Sequence, residues 1–253
     1  MLSFVIEVNN LSKTFPDGTE ALKNVTVTIP DGDFVAIIGL SGAGKSTFLR
    51  CLNRLVEPTQ GEIRAHGTDV ISLRGRALQR YRRTIGFIFQ QFNLVTRLSV
   101  IENVLSGRLG YHATWRGVLG LYTERDVELA RHYIDRVGLN EKEQTRVDQL
   151  SGGQQQRVAI ARAMTQEPQL ILADEPMASL DPRLSDVILG LLKDYNEEHG
   201  VTVLVNIHVL ELAKRYAKRI LAFNKGELVF DGPVEALSDT LEGEIYTGSL
   251  EAL

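Results

Sequence analysis

Residues 34–47 read Phe34-Val-Ala-Ile-Ile38-Gly39-Leu40-Ser41-Gly42-Ala43-Gly44-Lys45-Ser46-Thr47. The first five are an unbroken apolar run, the mark of a strand covered on both faces, as in parallel sheets flanked by helices. The glycine-rich stretch that follows satisfies G-x-x-x-x-G-K-[ST] in the required context, with a buried strand before it and a helix opening near Lys45. Glycines let successive backbone N–H groups point into one cavity, where they cradle phosphate oxygens. A helix N-terminus adds partial positive charge at the same place. Gly39, Ser41, Gly42, Ala43, Gly44, Lys45, Ser46 and Thr47 are therefore the expected phosphate-binding residues. Lys45 is expected to reach the β- and γ-phosphates of a nucleotide, and the Ser46 hydroxyl to ligate Mg²⁺.

Upstream of this stretch, Val25, Val27 and Ile29 alternate with Thr26 and Thr28, and Pro30-Asp31-Gly32 supplies a turn. Residues 4–37 thus read as strands joined by turns. Downstream, Leu170-Ile-Leu-Ala173 is an apolar strand that delivers Asp174 and Glu175 at its carboxyl end, where ligands of open α/β sheets sit. Asp174 is expected to hold Mg²⁺. Neighbours on a strand point opposite ways, so Glu175 is expected to face another target and to take a proton from an attacking water. A helix opens near Asp181-Pro182 and stops at Gly200, and Val201–Val205 is a further buried strand. This alternation implies a parallel sheet covered by helices. Residues 93–167 have a different, helical character. Ser99-x-x-Glu102 and Thr123-x-x-Asp126 are capping boxes, and Gly138 is a left-handed helix stop.

Leu150-Ser151-Gly152-Gly153-Gln154, continued by Gln155-Gln156-Arg157-Val-Ala-Ile-Ala-Arg162-Ala, resembles the signature sequence of ABC (ATP-binding cassette) ATPases. The resemblance extends over residues 4–240. It implies an α/β P-loop NTPase of the ABC type, a single cassette over 1–253. Residues 1–92 and 168–253 would form a parallel-sheet core with an N-terminal antiparallel β-subdomain, and 93–167 an inserted helical subdomain. ATP and Mg²⁺ are the implied cofactors. In this family two subunits pair head to tail, so Ser151, Gly152, Gly153 and Gln154 would complete the partner's nucleotide site; the same N–H groups also suit a helix cap. Gln90, in Phe87-Ile88-Phe89-Gln90, matches the Q-loop glutamine, implied to contact Mg²⁺ and water and to sense a membrane partner. Ser179-Leu180-Asp181 matches the D-loop, with Asp181 crossing the dimer interface. His208 matches the switch histidine, implied to hold the γ-phosphate and Glu175. Phe15 matches the aromatic that stacks on adenine, with simple core packing as its alternative.

Formal net charge is −4, against a protein built to coat nucleic acid. Arg74, Arg76, Arg80, Arg82 and Arg83 nevertheless crowd one segment, readable as a solvated helix face or as a phosphate or headgroup contact. The lone Cys51 permits no intrachain disulfide and fits a reducing compartment. No apolar run approaches the roughly 20 residues of a membrane-crossing helix, and no leader is visible, so service to a membrane would run through a partner. A non-transport ABC ATPase that remodels nucleic acid or protein complexes is the alternative reading. Phe89–Val95, Arg97–Leu105, Gly107–Gly110 and Trp115-Arg116 resemble the ATPases of phosphonate importers, including phosphite members. Leu40 stands where proline is common in that group, and Val209 where glutamine is. That resemblance implies a homodimer, two transmembrane permease subunits, a separate substrate-binding protein, no nucleic acid, and a place on the cytoplasmic face of the cell membrane. Phe92, Leu94, Leu98, Val100 and Val104 are the expected walls of a groove for a permease helix, rimmed by Arg97 and Arg108 and flanked by Trp115. Internal packing is the alternative for these apolar residues.

Overall fold

The structure, a computed structural model, describes residues 4–112, 120–178, 180–238, 243 and 245. In chain order they form β1 (Phe4–Thr14), β2 (Glu20–Pro30), β3 (Phe34–Ile38), α1 (Lys45–Leu52), β4 (Gln60–Ala65) and β5 (Thr68–Asp69). Next come α2 (Gly75–Arg83), β6 (Ile85–Ile88), α3 (Val100–Leu105), α4 (Glu124–Arg136), α5 (Gly152–Thr165) and β7 (Leu170–Ala173). The chain ends with α6 (Pro182–His199), β8 (Thr202–Asn206), α7 (Leu210–Tyr216), β9 (Arg219–Asn224) and β10 (Glu227–Pro233). Two compact units result, one of Met1–Arg74 with Leu192–Leu253, the other of Gly75–Leu191. Trp115, Arg116, Gly117 and Ser179 lie outside the described residues.

In the first unit, β2, β1, β4 and β5 make an antiparallel sheet. Its register sets Val8 opposite both Val27 and Ile63, so one face of three strands carries apolar side chains in line. From Asn24 on the burial along β2 alternates, with Val25, Val27 and Ile29 buried and Asn24, Thr26 and Thr28 exposed, as the period of two requires. The second sheet of this unit has β3 between β8 and β9, both parallel to it. Every residue of β3 and β8 is buried, which is why β3 reads as an unbroken apolar run and β8 as Val203-Leu-Val205 between the buried Thr202 and Asn206. β10 is antiparallel to β9. Between them Lys225 and Gly226 have φ of 47° and 87°, the two left-handed residues of a tight hairpin turn. On α1, Phe48, Leu49, Cys51 and Leu52 are buried, and the Phe48 ring packs on Phe223 of β9 with centroids 5.2 Å apart. Burial pushes the Cys51 thiol up to about 12, so it is an inert core group.

In the second unit β6 and β7 are parallel and wholly buried, with Ile88 opposite Ala173. Helices α3, α4 and α5 pack on one another. Both expected capping boxes form. Glu102 accepts from Ser99 N and Oγ at 2.7 and 2.6 Å, and Asp126 accepts from Thr123 N and Oγ1 at 3.0 and 2.6 Å. Gly138 takes φ of 66° beyond α4. α2 buries none of its residues. No helix of the described residues is long and apolar enough to cross a membrane.

Candidate functional site

In the first unit the polar groups gather beyond the carboxyl ends of neighbouring parallel strands. β3 leads into the glycine-rich loop. β8 leads to Ile207, whose N–H donates to Ile37 O at 3.0 Å, and then to the exposed His208. The loop is built where side chains cannot go. Gly39 has φ of 139°, and a Cβ there would lie 2.2 Å from Phe223 O. Gly44 has φ of 102°, and its Cβ would lie 2.3 Å from Ala21 O. Gly44 also caps α1 without any side-chain cap, so no side chain competes for the first-turn N–H groups that suit an anion. Lys45 Nζ donates to Gly39 O and Leu40 O, both at 2.8 Å, which holds the buried ammonium over the loop's own carbonyls. Ser41 and Gly42 are exposed, Ser46 and Thr47 half-buried, and Ala43 buried. Phe15 is half-buried just past β1, with Lys13 Nζ 5.0 Å from its ring centroid. It is not a sealed core residue.

The second unit repeats the arrangement at the ends of β6 and β7. Asp174 N donates to Ile88 O at 2.9 Å, extending the ladder by one bond beyond β7. The Asp174 side chain is held in a position 1% exposed. Glu175 departs from the expectation of strand alternation. The strand has ended, and Glu175 has φ of 51°, so a left-handed bend and not the pleat sets its direction. The bend brings it to Gln90, whose Nε2 donates to Glu175 Oε2 at 3.0 Å. Ser151 caps α5 in a third capping box, with Ser151 N donating to Gln154 Oε1 at 3.0 Å. Ser151 and Gly152 are exposed, and they present the helix N-terminus outward. Gly153 is buried, and a Cβ there would meet Leu184 Cδ1 at 2.8 Å. Asp181 Oδ1 accepts from Leu184 N at 3.0 Å, capping α6.

The expected groove is only partly there. Val100 and Val104 are fully buried, because α3 packs that face against α4 and α5. Phe92 and Leu94 are half-buried, and Leu98 and Arg97 are exposed. Arg108 is no rim charge. It is 6% exposed, and its Nε donates to Asp126 Oδ1 at 2.8 Å and its Nη1 to Glu167 Oε2 at 3.0 Å. His112 Nε2 shares a hydrogen bond of 2.7 Å with the other Asp126 oxygen. The basic segment is tied down locally in part: Arg74 Nη1 donates to Ile71 O and Leu73 O at 2.6 and 2.8 Å, and Arg83 lies 4.5 Å from the Tyr111 ring centroid. Sequence reasoning missed Arg162 of α5, whose guanidinium donates to Asn93 O at 2.5 Å and Phe92 O at 3.0 Å. A cation inside the otherwise apolar Val158–Met164 run was the signal that could have found it.

Among the described residues no group of three or more His, Cys, Asp or Glu side chains could hold a metal.

A family profile described as "ABC transporter" matches residues 22–178. The chain is 52% identical over 242 residues to the phosphonates import ATP-binding protein PhnC of Bacillus cereus, covering 96% of this chain and 94% of that one. It is 53% identical to the PhnC of Shouchella clausii, over 96% of this chain and 91% of that one, and 49% identical to that of Staphylococcus epidermidis, over 97% and 96%. Among solved structures it is similar to the dimeric bacterial ABC transporter cassette MJ0796, with 38% identity, a TM-score of 0.81 and coverage of 90% of this chain and 98% of that one. The same cassette in a dimeric post-hydrolysis state bound to ADP and Pi superposes with a TM-score of 0.79 at 36% identity, over 90% and 98%.

Proposed function

The chain belongs to the ABC transporter family of ATP-binding cassettes, and we propose that it is the ATP-hydrolysing subunit that energises import of a phosphonate, a phosphite or a related phosphorus oxyanion. The observation that carries the cargo class is the 52% identity to a phosphonates import ATPase over 96% of the chain. The substrate itself would be met by a separate binding protein and by two membrane-spanning permease subunits. This subunit would work at the cytoplasmic face of the membrane.

Each site residue has a role its surroundings support. The loop Gly39–Thr47 cradles the phosphates, with Lys45 supplying the cation and Phe15 a stacking face for adenine. Lys45 has to exchange its two loop carbonyls for phosphate oxygens, a trade of neutral acceptors for charged ones that favours the nucleotide. Mg²⁺, when bound, neutralises charge on the phosphates; Ser46, Asp174 and Gln90 are its proposed protein ligands. Glu175 accepts the proton of the attacking water, Gln90 orients both, and His208 holds the γ-phosphate. Two copies pair head to tail, so that Ser151, Gly152, Gly153 and Gln154 of one close over the nucleotide of the other, with Asp181 crossing the interface. The exposed start of α5 at Ser151 and Gly152 supports that role, since a helix N-terminus suits an anion.

Deleting the gene and supplying a phosphonate or phosphite as sole phosphorus source gives the test. Growth should fail there and survive on ample inorganic phosphate. Normal growth on every phosphorus source, with loss of uptake of an amino acid or sugar, would refute the cargo class and leave the ATPase untouched.

A further inference from the structure

We propose that Arg162 is a positioning residue for ATP hydrolysis, a clamp that fixes the bend just beyond Gln90 and so holds the Gln90 amide on Glu175. The proposal rests on the roles given above to Gln90 and Glu175.

Phe92 and Asn93 have φ of 54° and 49°. Two consecutive non-glycine residues in the left-handed region are sterically costly, and such a bend persists only where its surroundings over-determine it. Arg162 does so directly. Its two terminal nitrogens form a fork, one donating to Phe92 O at 3.0 Å and the other to Asn93 O at 2.5 Å. These carbonyls are its only polar partners among the described residues, the side chain is half-buried, and that burial lowers its pKa. The planar guanidinium suits two adjacent acceptors in a way that one ammonium does not. The backbone behind it is equally fixed, since a Cβ on Gly107 would lie 2.4 Å from Arg162 O. The Phe92 ring lies over the other end of the same helix, and a Cβ on Gly152 would meet Phe92 Cζ at 3.9 Å.

Gln90 therefore sits between two anchors. On one side β6 ends at Ile88, whose carbonyl accepts from Asp174 N at 2.9 Å. On the other, Arg162 holds Phe92 and Asn93. The 3.0 Å bond from Gln90 to Glu175 spans the short segment between them. Released from Arg162, the bend loses its two charge-assisted hydrogen bonds, and the Gln90 side chain gains freedom in a step where placement matters.

Steady-state ATP hydrolysis by the full chain tests this, with Arg162→Met and Arg162→Lys each made alone and on Gln90→Ala. Arg162→Met should lower kcat on the order of tenfold, the size typical of coupled neighbours, with the KM for ATP·Mg²⁺ within about twofold. Arg162→Lys keeps the charge but not the fork and should fall between wild type and Met, which gives a readable variant if Met does not fold. On Gln90→Ala, either Arg162 change should add almost nothing further, because its effect passes through Gln90. A purely structural arginine would give additive losses, or a fall in stability with kcat per folded molecule unchanged, and either result overturns the proposal. So does an unchanged kcat in Arg162→Met beside a lowered one in Gln90→Ala. If Gln90→Ala itself leaves kcat unchanged, the role of Gln90 fails first and the clamp fails with it.

Discussion

Gln90 Nε2 donates to Glu175 Oε2 across 3.0 Å, joining residues 85 positions apart in the chain. Glu175 is thereby held by a group that can release it without any change of charge. Glu175→Gln keeps the shape of the side chain and an acceptor oxygen for Gln90, but removes the proton acceptor. It should leave ATP binding nearly intact and lower turnover by about 10²–10⁴-fold, read by phosphate release and by binding of a fluorescent ATP analogue. With hydrolysis blocked, ATP should trap a dimer that elutes early on size exclusion. Wild-type turnover in this variant would remove Glu175 from the role of base.

Asp174 should behave differently, because its carboxylate is buried at 1% exposure beside the last bond of the β6–β7 ladder. Asp174→Asn removes a metal ligand and should weaken ATP affinity only when Mg²⁺ is present. The loss should reach at least the roughly 10–100-fold that even an outer-shell partner of a metal is worth. Calorimetric titration of ATP with Mg²⁺ and with EDTA separates the two cases. An equal loss in both would argue for a structural carboxylate.

The glycines of the phosphate loop are not equivalent. Gly39→Ala and Gly44→Ala would each drive a Cβ into a backbone oxygen, at 2.2 and 2.3 Å, and backbone cannot swing aside as a side chain can. Each should cost more than the roughly 1–3 kcal/mol of left-handed strain alone. Gly42 has φ of 78° and open space around its would-be Cβ, so Gly42→Ala should cost strain only, about 1–2 kcal/mol. Urea denaturation without nucleotide gives the order, with Gly42→Ala the mildest.

Asp126 is a stability residue with a pH signature. Burial pushes its carboxyl up, but the Thr123 hydroxyl and N–H, Arg108 and His112 outweigh that and hold it well below the usual carboxylate range. A depressed carboxyl stabilises the fold above its unfolded pKa, near 3.9, and loses that contribution as pH falls towards its folded value. Asp126→Asn leaves the 6%-exposed Arg108 with Glu167 as its remaining carboxylate partner and should cost roughly 1–3 kcal/mol at pH 7, the penalty of a buried donor that loses its acceptor. The cost relative to wild type should shrink below about pH 4, where wild type loses the same contribution. Melting curves at pH 7 and pH 3.5 check both parts.

What could be read from the chain alone follows the range of the forces involved. The loop at Gly39–Lys45, the capping boxes at Ser99 and Thr123, the helix cap at Ser151 and the stop at Gly138 are local requirements of backbone geometry, met within a few residues. The unbroken apolar strands show a property that the sheet imposes on each strand separately. The bend at Glu175 has no such local signature, because its φ is set by the end of β7 and the partner it meets. Val100 and Val104 look like groove walls only until α3 is packed, since periodicity shows that a helix face is apolar and not what covers it. Arg108 reads as a surface charge because its partner Asp126 comes 18 positions later, and Arg162 reads as an ordinary helix residue because its carbonyls lie 69 and 70 positions earlier.

The last prediction concerns the pairing of subunits. Lys45 belongs to the phosphate loop, while Ser151 stands exposed at the N-terminus of α5, its oxygen spent on the cap and its N-terminus turned outward. If the signature residues complete a site on a second copy, each nucleotide needs Lys45 from one chain and Ser151 from the other. Lys45→Ala alone and Ser151→Arg alone should then each be inactive, since every site of either homodimer lacks one component. A mixture behaves differently. Half the randomly formed dimers are mixed, and in each of these one site lacks both components and the other lacks neither. Mixing equal amounts should therefore restore about a quarter of wild-type hydrolysis by random two-fold pairing, rising in proportion to the mixed dimers present. The same mixture made with Lys45→Ala and Glu175→Gln should restore nothing, because those two residues serve one site from the same chain. No rescue in either mixture would mean that Ser151 serves its own subunit and that the head-to-tail pairing is wrong.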